Sequence, residues 1–203
     1  MKRPMASTVI LLLWLAGCGG GGSGGGGGGT DPRLARLDAY EALELRVLGD
    51  PEAGVPGMLL TTDANIPAGG SLSFSGFATL RVEVGITPLV LFGDADLTVD
   101  FDSTAAVGAV ENLFGNADAQ TVADYDGALS LEGNATGQDM PLSYLGTLTT
   151  AGQSLGFEGA LNGVFLGNPV AAVSASDLEA IVDQNGTARD ATIVITLEAT
   201  PPP

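Results

Sequence analysis

From Ser71 onward, hydrophobic and polar residues alternate with a period of two. In "SLSFSGFATLRVEV", Leu72, Phe74, Gly76, Ala78, Leu80, Val82 and Val84 share one parity. In "DADLTVDFD" the alternation is unbroken. Ala95, Leu97, Val99 and Phe101 fall on one side, and Asp94, Asp96, Thr98, Asp100 and Asp102 on the other. Successive strand residues point to opposite faces, so the pattern predicts strands with one dry and one wet face. Further strands are predicted near 107–114, 125–133, 141–150, 155–166, 170–182 and 191–199, at intervals of roughly ten residues. The last two are joined by "DQNGTARD", whose Asn185-Gly186 pair is a hairpin-turn signal.

One earlier stretch carries a helical period instead. In "TDPRLARLDAYEALELRVLGDP", Leu34, Leu37, Tyr40, Leu43 and Val47 recur at spacings of three or four. Thr30 or Asp31 can cap the start, Pro32 suits the first turn, and Gly49 suits the stop. This predicts an amphipathic helix over 32–48, although "LELRVL" also alternates as a strand would. The fold class is then all-β: a small soluble eight-stranded antiparallel up-and-down β-barrel preceded by one short amphipathic helix. Closure hides the sheet edges, and an open sandwich is the alternative. Interior glycines at 76, 146, 159 and 163 suit sharply coiled strands. A membrane-embedded barrel would carry an apolar outer band with aromatic girdles. Here the outer positions are Asp94, Asp96, Asp100 and Asp102, which argues against it.

The first residues follow a different logic. Lys2 and Arg3 precede an apolar run over 9–16 that is too short for a bilayer-spanning helix, which needs about 20 residues. This is the architecture of an export signal. Leu15-Ala16-Gly17-Cys18 resembles a bacterial lipobox and contains the only cysteine. That resemblance implies cleavage before Cys18 and acylation (palmitate or a similar chain) of Cys18, with the lipid bilayer as partner. Gly19 in place of an Asp after the cysteine implies the outer membrane. The tract over 19–29, glycine except for Ser23, behaves as a flexible coil spanning about 18 Å. The organisation is therefore a signal peptide over 1–17, lipidated Cys18 and tether over 18–30, and a helix over 31–50. A lead-in loop over 51–70, a barrel over 71–199 and a tail over 200–203 complete it.

Charge narrows the function. The chain has 24 acidic residues, seven basic ones and no histidine. Removing 1–17 leaves five arginines against 24 acids, a net charge of −19. Such a surface repels nucleic acid, so no nucleic-acid partner is expected. The chain beyond the leader has no Lys or His to activate a nucleophile and no Trp to stack a substrate, and no enzyme activity is expected. Paired-carboxylate hydrolysis remains formally open. No metal or cofactor is expected either, since zinc and haem sites favour His or Cys. Tyr125 and Tyr144 are conceivable haem ligands, better explained as packing. Asp94/Asp96 and Asp124/Asp126 lack the EF-hand spacing and read as a solvated acidic face.

Three segments carry a family resemblance: "NIPAGGSLSFSGFATL" at 65–80, "LTVDFDSTAAVGAVENLF" at 97–114 and "LGFEGALNGVFLGNPVAAVSA" at 155–175. They resemble the transferrin-binding protein B-like β-barrel lipoprotein family over residues 60–199. The resemblance implies a lipid-anchored barrel that binds a protein partner or outer-membrane receptor. The chain has one barrel instead of two lobes and lacks the family's long insertions. The expected function is a non-catalytic outer-membrane-anchored binding module, monomeric, presenting loops to a macromolecule. Pro88, Asn116, Asp118, Asn134 and Gln138 are the candidate loop positions, since binding residues concentrate on loops of rigid scaffolds. A periplasmic small-ligand carrier using the barrel interior, or a structural envelope lipoprotein without a ligand, are the alternatives.

Overall fold

The computed structural model describes residues 31–116 and 121–200. The expected signal peptide, Cys18, the glycine tether and Asp118 lie outside the described residues. A 3-10 turn over Leu34–Arg36 leads into helix α1, Leu37–Val47. Asp31 starts this segment as expected of a cap: its carboxylate accepts the Arg33 amide at 2.9 Å and its carbonyl accepts the Leu34 amide. The lead-in is more ordered than a loop. It contains a two-residue hairpin, β1 (Gly49–Asp50) with β2 (Val55–Pro56), and a 3-10 turn over Asp63–Asn65.

The barrel follows as β3 (Ser71–Val82), β4 (Leu89–Asp100), β5 (Ala105–Asn116), β6 (Val122–Tyr125) and β7 (Leu129–Asn134). It continues with β8 (Asp139–Thr150), β9 (Gln153–Leu166), β10 (Ala172–Gln184) and β11 (Thr187–Ala199). Sequence neighbours pair antiparallel except β6 and β7, which both pair with β5, and β3 pairs with β11 from Val82↔Ala191 to Phe74↔Ala199, which closes the ring. The strand expected over 125–133 is broken in two. The upper half of β5 pairs with β6 and its lower half with β7, so β6 and β7 together serve as one of eight barrel strands. The Asn185-Gly186 turn forms as expected, with both residues at positive φ (51° and 83°) as a twist-matched two-residue hairpin needs.

The two parities separate cleanly. Ala95, Leu97, Val99 and Phe101 are buried, and Asp96, Thr98 and Asp102 are exposed. Phe74, Leu80, Leu91, Leu97, Phe157 and Phe165 each fall below 2% exposure inside the ring. Full burial of such side chains stabilises by about 1.5–3 kcal/mol each, an upper figure since unfolded chains bury some surface too. The apolar interior is the reverse of the polar lumen of a membrane-spanning barrel. Glycines permit close backbone approach: a Cβ at Gly76 or Gly146 would stand 2.2 or 2.1 Å from the carbonyl oxygen of Thr196 or Ala128.

One rim of the barrel is plugged by the lead-in. Thr61 donates its amide to the Phe165 carbonyl at 2.9 Å and its hydroxyl to the Gly167 carbonyl at 2.7 Å. Ile66 packs against the core beside this crossing.

Candidate functional site

Helix α1 lies against the outside of the barrel, and aromatic residues explain why. Phe77, Phe92 and Phe114 break the polar parity of β3, β4 and β5 and make an outward apolar patch. Tyr40 covers it, with ring centroids 3.6, 5.8 and 6.2 Å from the three rings. Leu43 and Val47 extend the seam over Ala172 and Leu166. The Tyr40 hydroxyl is buried near Arg36 and Asp94 with no well-formed hydrogen bond among the described residues, and burial pushes its pKa up to about 12. Aromatic burial outweighs that unsatisfied group, since each ring buries roughly 150–250 Å².

Arginines fasten the seam. Arg36 pairs with Asp94 and sits 5.0 Å from the Phe114 ring centre, a cation–π contact. Arg33 reaches Asp124 at 3.0 Å while also pairing with Asp31, whose carboxyl the Arg33 guanidinium and amide hold down at about 2. Arg46 makes a two-pronged contact with Glu198 at 2.7 and 3.1 Å. Exposed ion pairs contribute little each, about 0–1 kcal/mol. Their effect here is to fix the helix's direction across the strands.

A cleft of about 310 Å³ opens beside Arg36, between β5 and the β6–β7 break. Two irregularities build it. Asn112, at φ 52°, is an extra residue in β5 where the register with β4 slips between Phe92 and Asp94. Gly127 then separates β6 from β7 and lies against the Thr147 carbonyl, 2.2 Å from where a Cβ would be. The cleft walls carry Asp124 and Asp126, and Asn112 donates to the second oxygen of Asp94 at 3.0 Å.

This arrangement gathers charged groups, Arg36, Asp124 and Asp126, around the cleft. Asp94 and Asp124, two of the four acids considered for calcium, are occupied by Arg36 and Arg33. Among the described residues no group of three or more His, Cys, Asp or Glu could hold a metal ion. Tyr125 and Tyr144 point inward and are buried. Tyr125 donates to the Asn116 carbonyl at 3.1 Å, and Tyr144 donates to Asp177 at 2.8 Å. Burial raises both phenols, and for Tyr144 the Asp177 bond raises it further.

The four described loop positions do not form one surface. Pro88 and Asn116 lie at one rim, Asn134 and Gln138 at the opposite rim, on account of the up-and-down strand order. Asn116 is also occupied internally: its side chain accepts the Val90 amide at 2.6 Å and donates to the Pro88 carbonyl at 3.0 Å, pinning that loop. Asn134 closes the β5–β7 ladder opposite Ala105, and the Gln138 amide donates to Asp63 at 3.2 Å. The helix-covered aromatic patch was not expected. Its signal was present as Phe77, Phe92 and Phe114, rings at positions where the alternation calls for polar residues.

Neither a protein family nor a curated protein matches the sequence. Among solved structures, the chain is similar to a tryptophan-to-alanine mutant of transferrin-binding protein B, a vaccine antigen of Haemophilus parasuis Hp5. The two share 14% identity at a TM-score of 0.50, over 71% of this chain and 29% of that one. At that identity the likeness is one of fold: the chain contains a transferrin-binding protein B-like β-barrel.

Proposed function

We propose that the chain is a non-catalytic binding module, lipid-anchored at the outer membrane through Cys18, whose barrel meets a protein partner with its outer surface. The observation that carries this reading is the filled ring. Phe74, Phe157 and Phe165 with the surrounding leucines occupy the interior, so a ligand meets this barrel from outside. A small-ligand carrier would need a lumen in that space. The fold's likeness to a protein named for binding another protein supports a binding role in general. The lipobox-like Leu15–Cys18 and the glycine tract support the anchor.

The test is photo-cross-linking of the full chain in its native host. A photoreactive residue is placed at Glu41, Ile86, Leu145 or Ile181, all exposed and spread around the barrel. A binding module yields a discrete heavier product from at least one position. No product from any position overturns the reading.

A further inference from the structure

Four large apolar side chains stand out from the barrel far from the helix: Val107, Leu145, Leu178 and Ile181, at 59%, 60%, 61% and 62% exposure. They are not scattered. Leu145 pairs with Glu158 of β9, and Val182 pairs with Phe157, which sets Ile181 beside Glu158. With strands about 4.8 Å apart, Leu145 and Ile181 flank Glu158 across roughly 10 Å. Val107 pairs with Glu132, which pairs with Ser143, two residues along β8 from Leu145. On this outer face Glu158 is flanked by Leu145 and Ile181, and Glu132 lies between Val107 and Ser143.

A second device shapes this face. β10 bulges between Asp177 and Ala180, so that Leu178 and Glu179 leave the ladder with β11 and project outward. The bulge is held from inside the barrel. Asp177 accepts the buried Tyr144 hydroxyl at 2.8 Å with one oxygen and the Glu179 amide at 3.1 Å with the other. Gly159 leaves the space that the Tyr144 ring crosses. Bulges of this kind re-aim side chains at functional surfaces.

The charge of the face selects its occupant. β5, β7, β8, β9 and β10 contain no Lys, Arg or His. The five arginines at 33, 36, 46, 81 and 189 all have partners within the chain, three of them in the helix segment. Glu132, Glu158 and Glu179 stand exposed among the apolar side chains. A second copy or an anionic membrane would be repelled.

We propose that this outer face of β5 and β7–β10 docks a protein segment in which basic residues alternate with apolar ones, the acids steering it and Leu145, Leu178 and Ile181 gripping it. The proposal rests on the binding-module reading and deepens it.

The test uses the full chain in neutral phosphatidylcholine nanodiscs, with empty discs subtracted. The probe is a fluorescent lysine–leucine amphipathic peptide, compared with its glutamate–leucine and lysine–serine counterparts. The expected result is saturable binding of the lysine–leucine probe alone. It weakens at least tenfold in L145S/I181S and in E132K/E158K, and less than twofold in E41K/E52K, which makes the same charge change elsewhere. Equal losses in both charge-reversed pairs mean diffuse attraction and overturn the proposal, as does absence of binding to the unaltered chain. Circular dichroism confirms that each variant keeps the barrel. Failure of the broader reading is seen separately. If cross-links form in the host from Glu41 or Ile86 while Leu145 and Ile181 are silent, the face is wrong and the module stands.

Discussion

Gly159 makes the sharpest stability prediction. It faces Tyr144 directly across the β8–β9 ladder. A Cβ there would lie 2.3 Å from the Tyr144 hydroxyl oxygen and 2.6 Å from Cζ. The ring is 2% exposed and its hydroxyl is held by Asp177, so it has nowhere to retreat. Overpacking of this kind costs about 1–3 kcal/mol. Relief by swinging the ring breaks the hydrogen bond to Asp177, nominally about 1.5–3 kcal/mol for a charged acceptor and nearer ~1 for one that water reaches. Gly159→Ala should therefore destabilise by about 2–4 kcal/mol, and melt roughly 5–15 °C lower for a chain of this size. Gly156→Ala, on the same strand, is the control: its added Cβ meets only Asp183, at 3.5 Å from Cβ and 3.9 Å from the carbonyl oxygen, both ordinary contacts. Thermal and urea unfolding followed by far-UV circular dichroism read both. In a cycle with Tyr144→Phe, the double variant loses the hydroxyl bond only once, so the effects should fall short of additive by about 1 kcal/mol. Indistinguishable stabilities for Gly159→Ala and Gly156→Ala would refute the account of how the β10 bulge is held.

Leu43→Ala should cost about 2–5 kcal/mol in docking of the helix against the barrel, seen as faster proteolysis within 31–48 while barrel amide exchange stays unchanged. Asn116→Ala should cost about 1–2 kcal/mol and speed exchange of the Val90 amide, which loses its acceptor. Asp31 should titrate at about 2 by NMR, and at a higher pH once Arg33→Ala removes its partner. The sign follows from a folded pKa below the ordinary carboxyl value of 3.8. Any stability from this pair is present above 3.8 and is lost as the pH falls through about 2. Asp100, held down by Ser103 and the amides of Asp102 and Ser103, acts in the same direction.

The strands were legible because burying one face of a sheet forces period two, and Ala95 to Phe101 kept it without exception. The helix was legible from the Leu37, Tyr40, Leu43 and Val47 stripe for the same reason. The irregularities were not. Asn112 and the Asp177–Ala180 bulge each insert a residue that shifts the parity, and nothing local separates "VENLF" or "SDLEAIV" from a regular strand. Tyr144 meets Asp177 across β9, a contact between residues far apart in the chain that only ring closure creates. The docking face was hidden similarly. Leu145 and Ile181 are separate apolar residues in the sequence and become neighbours of Glu158 only through the register. The described loop candidates, Pro88, Asn116, Asn134 and Gln138, divide between the two rims because neighbouring turns of an up-and-down barrel alternate between them.

Whether a lipid on Cys18 holds the barrel at a membrane can be read from the intact mass of the protein isolated from its native host. The predicted mass is that of residues 18–203 plus a covalent lipid on Cys18, with Lys2 and Trp14 gone and the lipid lost on Cys18→Ser. A chain that retains residues 1–17, or begins elsewhere with Cys18 unmodified, would contradict it.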